Sequence, residues 1–202
     1  MTKTNGNIGR ARRVAVVAAV GLPLLVLPTL GASAGLGQAC RGEAVTIFGT
    51  QGRDVIRGTA REDSIMARGG NDVIRGLGAK DEICAGPGED RLLGGPGKDG
   101  LDGGAGPDVL LGRDGNDDLI GAGGADRLDS GPGPDEVRGG PGADRLAGGS
   151  QHDDMFGGAG RDQVRGQDGP DVLNGGAGSD GLNGGAGNDD CLRGERLISC
   201  ES

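Results

Sequence analysis

The sequence has no tryptophan, no tyrosine and two phenylalanines, Phe48 and Phe156, in 202 residues. A globular domain of this length ordinarily buries several large aromatics, because each removes much apolar area from water. Their scarcity argues against an ordinary globular enzyme and against a nucleic-acid binder that stacks bases on rings. Histidine is also scarce: His152 is the only one, in the stretch Ser150-Gln151-His152-Asp153. A Ser/His/Asp site could be drawn there, but aspartate recurs so often that its presence beside one histidine carries little information. Paired carboxylates for glycoside hydrolysis are equally unavoidable, and they read more simply as metal ligands. Neither G-x-x-x-x-G-K-[ST] nor a strand–G-x-G-x-x-G–helix unit is present, so no phosphate cradle is expected. We therefore expect no catalytic residues and no enzyme. Positive charge is in deficit too, with 21 Lys and Arg against 30 Asp and Glu, a formal charge of −9. That balance disfavours nucleic acid and anionic membrane as partners and favours cations.

Glycine is what the chain has in excess, at 48 residues, with nine prolines. Such a composition usually signals collagen or low complexity. Collagen is excluded because glycine does not fall at every third position. Disorder is the serious alternative, and periodicity has to decide it.

The first segment reads as an address. Lys3, Arg10, Arg12 and Arg13 form a positive start, and no charged residue follows between 14 and 39. The apolar stretch 14–30 leads to Ala32-Ser33-Ala34, a small-x-small cleavage pattern. Residues 1–34 are thus expected to be a cleaved export signal rather than a retained anchor, given Pro23 and Pro28 within the run. Arg12-Arg13 fits a twin-arginine signal poorly, so general secretion is the expected route. Cleavage removes four basic residues and no acidic ones, which leaves 17 basic against 30 acidic groups, or −13. The expected location is secreted, with no membrane contact after cleavage.

From Gly49 the chain can be cut every nine residues into sixteen units, ending at Leu192, with no insertion or deletion. Examples are Gly94-Gly95-Pro96-Gly97-Lys98-Asp99, Gly103-Gly104-Ala105-Gly106-Pro107-Asp108 and Gly175-Gly176-Ala177-Gly178-Ser179-Asp180. The sixth position is aspartate in all sixteen units: Asp54, Asp63, Asp72, Asp81, Asp90, Asp99, Asp108, Asp117, Asp126, Asp135, Asp144, Asp153, Asp162, Asp171, Asp180 and Asp189. The eighth is Ile, Leu, Val or Met in fifteen units and Cys191 in the last. Positions one and four are each glycine in 13 of 16. A disordered low-complexity chain would not hold this phase. Glycine at positions one, two and four permits a tight turn with φ > 0, which aims several carbonyls at one place. The aspartate adds a carboxylate, and an all-oxygen set suits a hard cation such as Ca²⁺. After it, x-aliphatic-x reads as a short strand with its middle residue inward.

The unit G-G-x-G-x-D-x-U-x resembles the nonapeptide of the RTX, or hemolysin-type, calcium-binding repeat family across residues 49–192. The resemblance implies an all-β fold, a right-handed parallel β-roll solenoid of about eight coils with two nonapeptides per coil. It implies ions between turns of units i and i+2, so that Asp54 would share ions with Asp72 and Asp63 with Asp81. Seven gaps per side then give at most about 14 Ca²⁺. Arg61, Ala79 and Gln151 depart from the fourth glycine, and Ala67, Ala85 and Ser130 from the first. Units 58–66 and 148–156 are therefore expected to bind weakly or not at all. One inward aliphatic per nine residues is a thin core for so much glycine, so folding is expected to require the metal.

Residues 35–48 and 193–202 are expected to cap the roll, with 44–48 as the first strand and Cys200, nine residues after Cys191, facing inward. Four cysteines in an exported chain suggest two disulfides in one of three connectivities, with Cys191–Cys200 and Cys40–Cys84 favoured. The arginines at strand flanks, Arg57, Arg75, Arg91, Arg127, Arg138, Arg145 and Arg165, read as solvated faces. Ice binding is disfavoured because the third position is never threonine. The expected function is extracellular calcium binding by a structural or interaction module, with a matrix or cell-surface partner. The alternative is a repeat-only relative of a secreted RTX enzyme or toxin without its catalytic domain, since 35–48 and 193–202 are too short to hold one.

Overall fold

The computed structural model describes residues 14–15, 39–193 and 196–200. Apart from Val14–Ala15, whose backbone pairs with Val55 and Ile56, the expected leader lies outside the described residues. The described chain contains strands and turns, and no helix among these residues is long and apolar enough to cross a membrane.

Each nonapeptide contributes one strand, and alternate units go to alternate sheets. The first sheet holds Val55–Arg57, Val73–Arg75, Arg91–Leu93, Val109–Leu111, Arg127–Pro132, Arg145–Ser150, Gln163–Asp168 and Gly181–Ala186, and it ends in Arg196–Ile198. The second runs from Ile47–Phe48 through Ser64–Met66, Glu82–Pro87, Gly100–Ala105, Asp118–Gly123, Glu136–Gly142, Asp154–Gly160 and Val172–Gly178 to Asp190–Leu192. All pairings within the two sheets are parallel, and neighbours within the repeats are offset by two units: Leu110 lies beside Leu128, and Leu119 beside Val137. The chain is thus a solenoid of about eight turns, as the nine-residue phase requires.

The core is one column per sheet. The eighth-position residues from Ile56 to Leu182 are all at most 2% exposed. Their neighbours on either side alternate outward, as a pleated strand demands. Isolated aliphatics stacked at rung spacing bury well because each rung repeats the same shape.

The ends differ from the expected caps. Residues 44–48 do not form one strand. Ala39–Cys40 and Glu43–Ala44 make an antiparallel hairpin, and Ile47–Phe48 alone joins the second sheet, with Ile47 beside Ile65. Arg41 and Gly42 both have positive φ (51° and 95°), the condition for a two-residue hairpin turn. This hairpin rests on the outer surface of the second sheet, where Cys40 is bonded to Cys84 and Arg41 pairs with Glu82 at 3.0 Å. At the other end Leu197 takes the register place beside Leu182 that the spacing gives to Cys200, and it is 52% exposed at the open end. The closing strand therefore comes three residues early, and Cys200 reaches Cys191 from beyond it to form the second disulfide.

Candidate metal centre

The turns stack as regularly as the strands. From the third unit onward the second residue of every turn has positive φ, whether glycine (Gly104, 96°) or not (Arg68, 81°; Leu77, 99°; Arg113, 91°; Ala122, 70°; Gln167, 81°). A methyl added at the fourth-position Gly106 would lie against the carbonyl oxygen of Gly88 in the rung before. Glycine is needed there for close approach as well as for φ.

One carboxylate bridges each of the fourteen gaps between stacked turns. Its Oδ1 accepts a hydrogen bond from the backbone N–H of the aspartate two units earlier: Asp54 N–H to Asp72 at 2.7 Å, Asp99 to Asp117 at 2.8 Å, Asp171 to Asp189 at 3.1 Å. The other oxygen, Oδ2, is buried and has no hydrogen-bond partner in the fourteen aspartates from Asp72 to Asp189. A buried, unpaired carboxylate oxygen is costly, and fourteen in register require a shared explanation.

In the eleven turns from Asp81 to Asp189 that begin with glycine, Oδ2 points at that glycine and meets a carbonyl of the rung ahead. A methyl on Gly121 would lie 2.5 Å from Asp126 Oδ2 and 2.7 Å from the Gly139 oxygen. On Gly157 it would lie 2.7 Å from Asp162 Oδ2 and 2.6 Å from the Gly175 oxygen. Two acceptors therefore converge on a space that the glycine leaves open, with no donor between them. That arrangement fits a hard cation with oxygen ligands. Among the described residues no three His, Cys, Asp or Glu side chains form a metal cluster, and the sixth-position aspartate is the one carboxylate common to every turn.

Burial sets the electrostatics. It raises the carboxyls of Asp72, Asp99, Asp135 and Asp144 to about 6, and those of Asp81, Asp108, Asp117 and Asp153 to about 7. The backbone N–H bond pulls each value back, while neighbouring carboxylates in the column push several of them up. A cation between the turns would reverse the dominant cost.

The sixteen sequence-predicted aspartates all lie in this stack, but two differ. Asp54 Oδ2 accepts from the Thr50 N–H at 2.6 Å and its hydroxyl at 2.9 Å. Asp63 Oδ2 does the same with Thr59, at 2.6 and 3.0 Å. Threonine stands where later turns have a positive-φ residue, and it supplies the donors that the other aspartates lack. The sequence signal is the threonine at position two of the first two units, Thr50 and Thr59, which no later unit repeats. Gln151 in the unit 148–156 adopts φ 84°, and Asp153 keeps an unpartnered Oδ2 like its neighbours. Ala67, Ala85 and Ser130 fill the open space at position one, and the Ser130 hydroxyl donates to the Gly148 carbonyl at 2.7 Å. His152 faces the Pro170 carbonyl and Asp154, not Ser150.

A search of curated proteins found no match. The family model for the RTX calcium-binding nonapeptide repeat matches residues 46–63, 57–92, 93–128, 129–164 and 156–191. These segments tile well over half of the chain and coincide with the stacked turns, and the chain belongs to the RTX calcium-binding repeat family.

Proposed function

We propose that the chain is a secreted, non-catalytic module that binds up to about fourteen Ca²⁺ ions in its turns and folds as they bind. Outside the cell it acts as a structural or interaction element. The reading rests on one observation: fourteen buried Oδ2 atoms, one per gap between turns, have no hydrogen-bond partner, and in the eleven turns that open on glycine each meets a backbone carbonyl. The metal would be held by Asp72 to Asp189 and the first-position carbonyls, and would supply the positive charge that these oxygens lack. Asp54 and Asp63 are already satisfied by threonine and hold the first coil without an ion. Extracellular calcium modules typically have affinities near ~10⁻⁴–10⁻³ M, so such sites fill outside the cell and stay empty within it.

A calcium titration of the chelated chain, read by circular dichroism and calorimetry, tests this. The expected result is a cooperative gain of β signal with many ions per chain. A signal that does not change up to millimolar Ca²⁺ would overturn both the ion binding and its coupling to folding.

A further inference from the structure

The two outer faces of the roll carry opposite charge, a property invisible at a nine-residue period. Flanking positions of the first sheet present Arg57, Arg75, Arg91, Arg127, Arg145, Arg165 and Arg196, all exposed, against the single acid Asp129. The second sheet presents Glu82, Asp102, Asp118, Glu136, Asp154 and Asp190. Arg138, grouped by sequence with the first set, lies on this acidic face and pairs with Asp118 and Glu136. Half of the acidic face is thus internally compensated, because Arg41 of the hairpin also pairs with Glu82 and Asp118, and Lys80 with Glu82. Among the described residues none of the seven arginines of the first sheet has a carboxylate within ion-pair distance.

We propose that the arginine face binds a linear acidic polysaccharide carrying about one carboxylate per sugar. Parallel strands are ~4.8 Å apart, a rung comparable in length to one sugar residue, and seven of the nine strands from Val55–Arg57 to Arg196–Ile198 carry one arginine, Arg57, Arg75 and Arg165 in one column and Arg91, Arg127, Arg145 and Arg196 in the other. Arginine suits this role because its planar fork binds a carboxylate by two parallel hydrogen bonds and stays charged. Two open troughs cross this face. One is bounded by Arg127, Asp129, Arg145 and Arg165, the other by Arg165, Asn183 and Arg196. No aromatic residue lines either one, which disfavours single-stranded nucleic acid. A flat sheet has no element to enter a duplex groove. A second copy is disfavoured because the complementary acidic face is partly covered by the hairpin and its own ion pairs. The inference rests on the proposed calcium-bound state for the fold of this face, but not for its chemistry.

The test is fluorescence anisotropy with labelled hexagalacturonate in 1 mM Ca²⁺, with circular dichroism on the same samples. Arg127→Glu/Arg145→Glu should weaken binding at least tenfold, and binding should fall with added salt. Lys98→Glu, an exposed charge reversal in a turn, should change it less than twofold. A folded chain that does not bind the oligomer would overturn the proposal, as would an equal loss in Lys98→Glu. Tighter binding of duplex DNA would refute the saccharide assignment. Self-association abolished by the double variant would assign the face to a second copy instead. A chain that fails to gain β signal in Ca²⁺ would refute the calcium reading. Oligomer binding retained by such a chain would show that the rolled face is not the site.

Discussion

Asp117→Asn should shift stability in opposite directions with and without calcium. Asp117 lies in the middle of the array, 2% exposed, with Oδ1 accepting the Asp99 N–H at 2.8 Å and Oδ2 unpartnered. Burial, aided by the charges of Asp99, Asp135 and Asp114, raises its carboxyl to about 7 from 3.8. Holding it ionised above that pH costs about 4 kcal/mol in the metal-free roll. Asparagine keeps the Oδ1 acceptor, removes the charge, and places an N–H₂ toward the Ser130 carbonyl, which lies 2.7 Å from the open face of Gly112. At pH 8 in chelator, with an osmolyte to bring folding into range, the variant should be more stable by about 2–4 kcal/mol. In calcium it should bind one or two fewer ions and need more Ca²⁺ to reach its folding midpoint. Urea titrations followed by circular dichroism, with calorimetry for the ion count, measure both arms. A change of the same sign in both conditions would refute the assignment of Oδ2 to a cation.

The metal-free roll should be most stable in acid. The folded values of about 6 to 7 for Asp72, Asp81, Asp108 and Asp153 exceed the ordinary value of 3.8. The folded state therefore keeps protons that the unfolded chain releases, and this stability is present near pH 4 and lost as pH rises through 6 to 7. Circular dichroism in chelator should show β signal falling across that window, while calcium affinity rises across it; a signal that grows with pH would contradict the burial argument. Asp54→Asn should leave the ion count of the chain unchanged, because Thr50 already satisfies Asp54, whereas Asp108→Asn should lower it by calorimetry. Gln151→Gly relieves a side chain held at φ 84°, worth about 1 kcal/mol or a rise in Tm of about 2–4 °C in calcium. Gly142→Ala should do the reverse more strongly, since its methyl would press on the Gly124 carbonyl, and an unchanged Tm would show that the turns are not stacked so closely.

The repeating parts of this molecule were legible because a solenoid writes its rung into the sequence. Every unit meets the same neighbours, so Asp at position six and an aliphatic at position eight recur without exception until Cys191. What was not legible depends on something other than one unit. Leu77 and Arg113 hold positive φ because stacked turns impose the conformation, against their own preference. Leu197 takes the register place beside Leu182 three residues before Cys200 because the last strand need only meet that rung, and a shorter connection does so. The charge of the two faces is a property of the coil, which is two units long. Read every nine residues, Arg91, Asp102 and Arg127 are scattered outward charges. Read every eighteen, Arg91, Arg127 and Arg145 fall on one sheet, and Glu82, Asp118, Glu136 and Asp154 on the other. A sequence period locates the buried column, but the surface must be read at the period of the closed turn. That longer period turns a list of solvated arginines into a face with a sign.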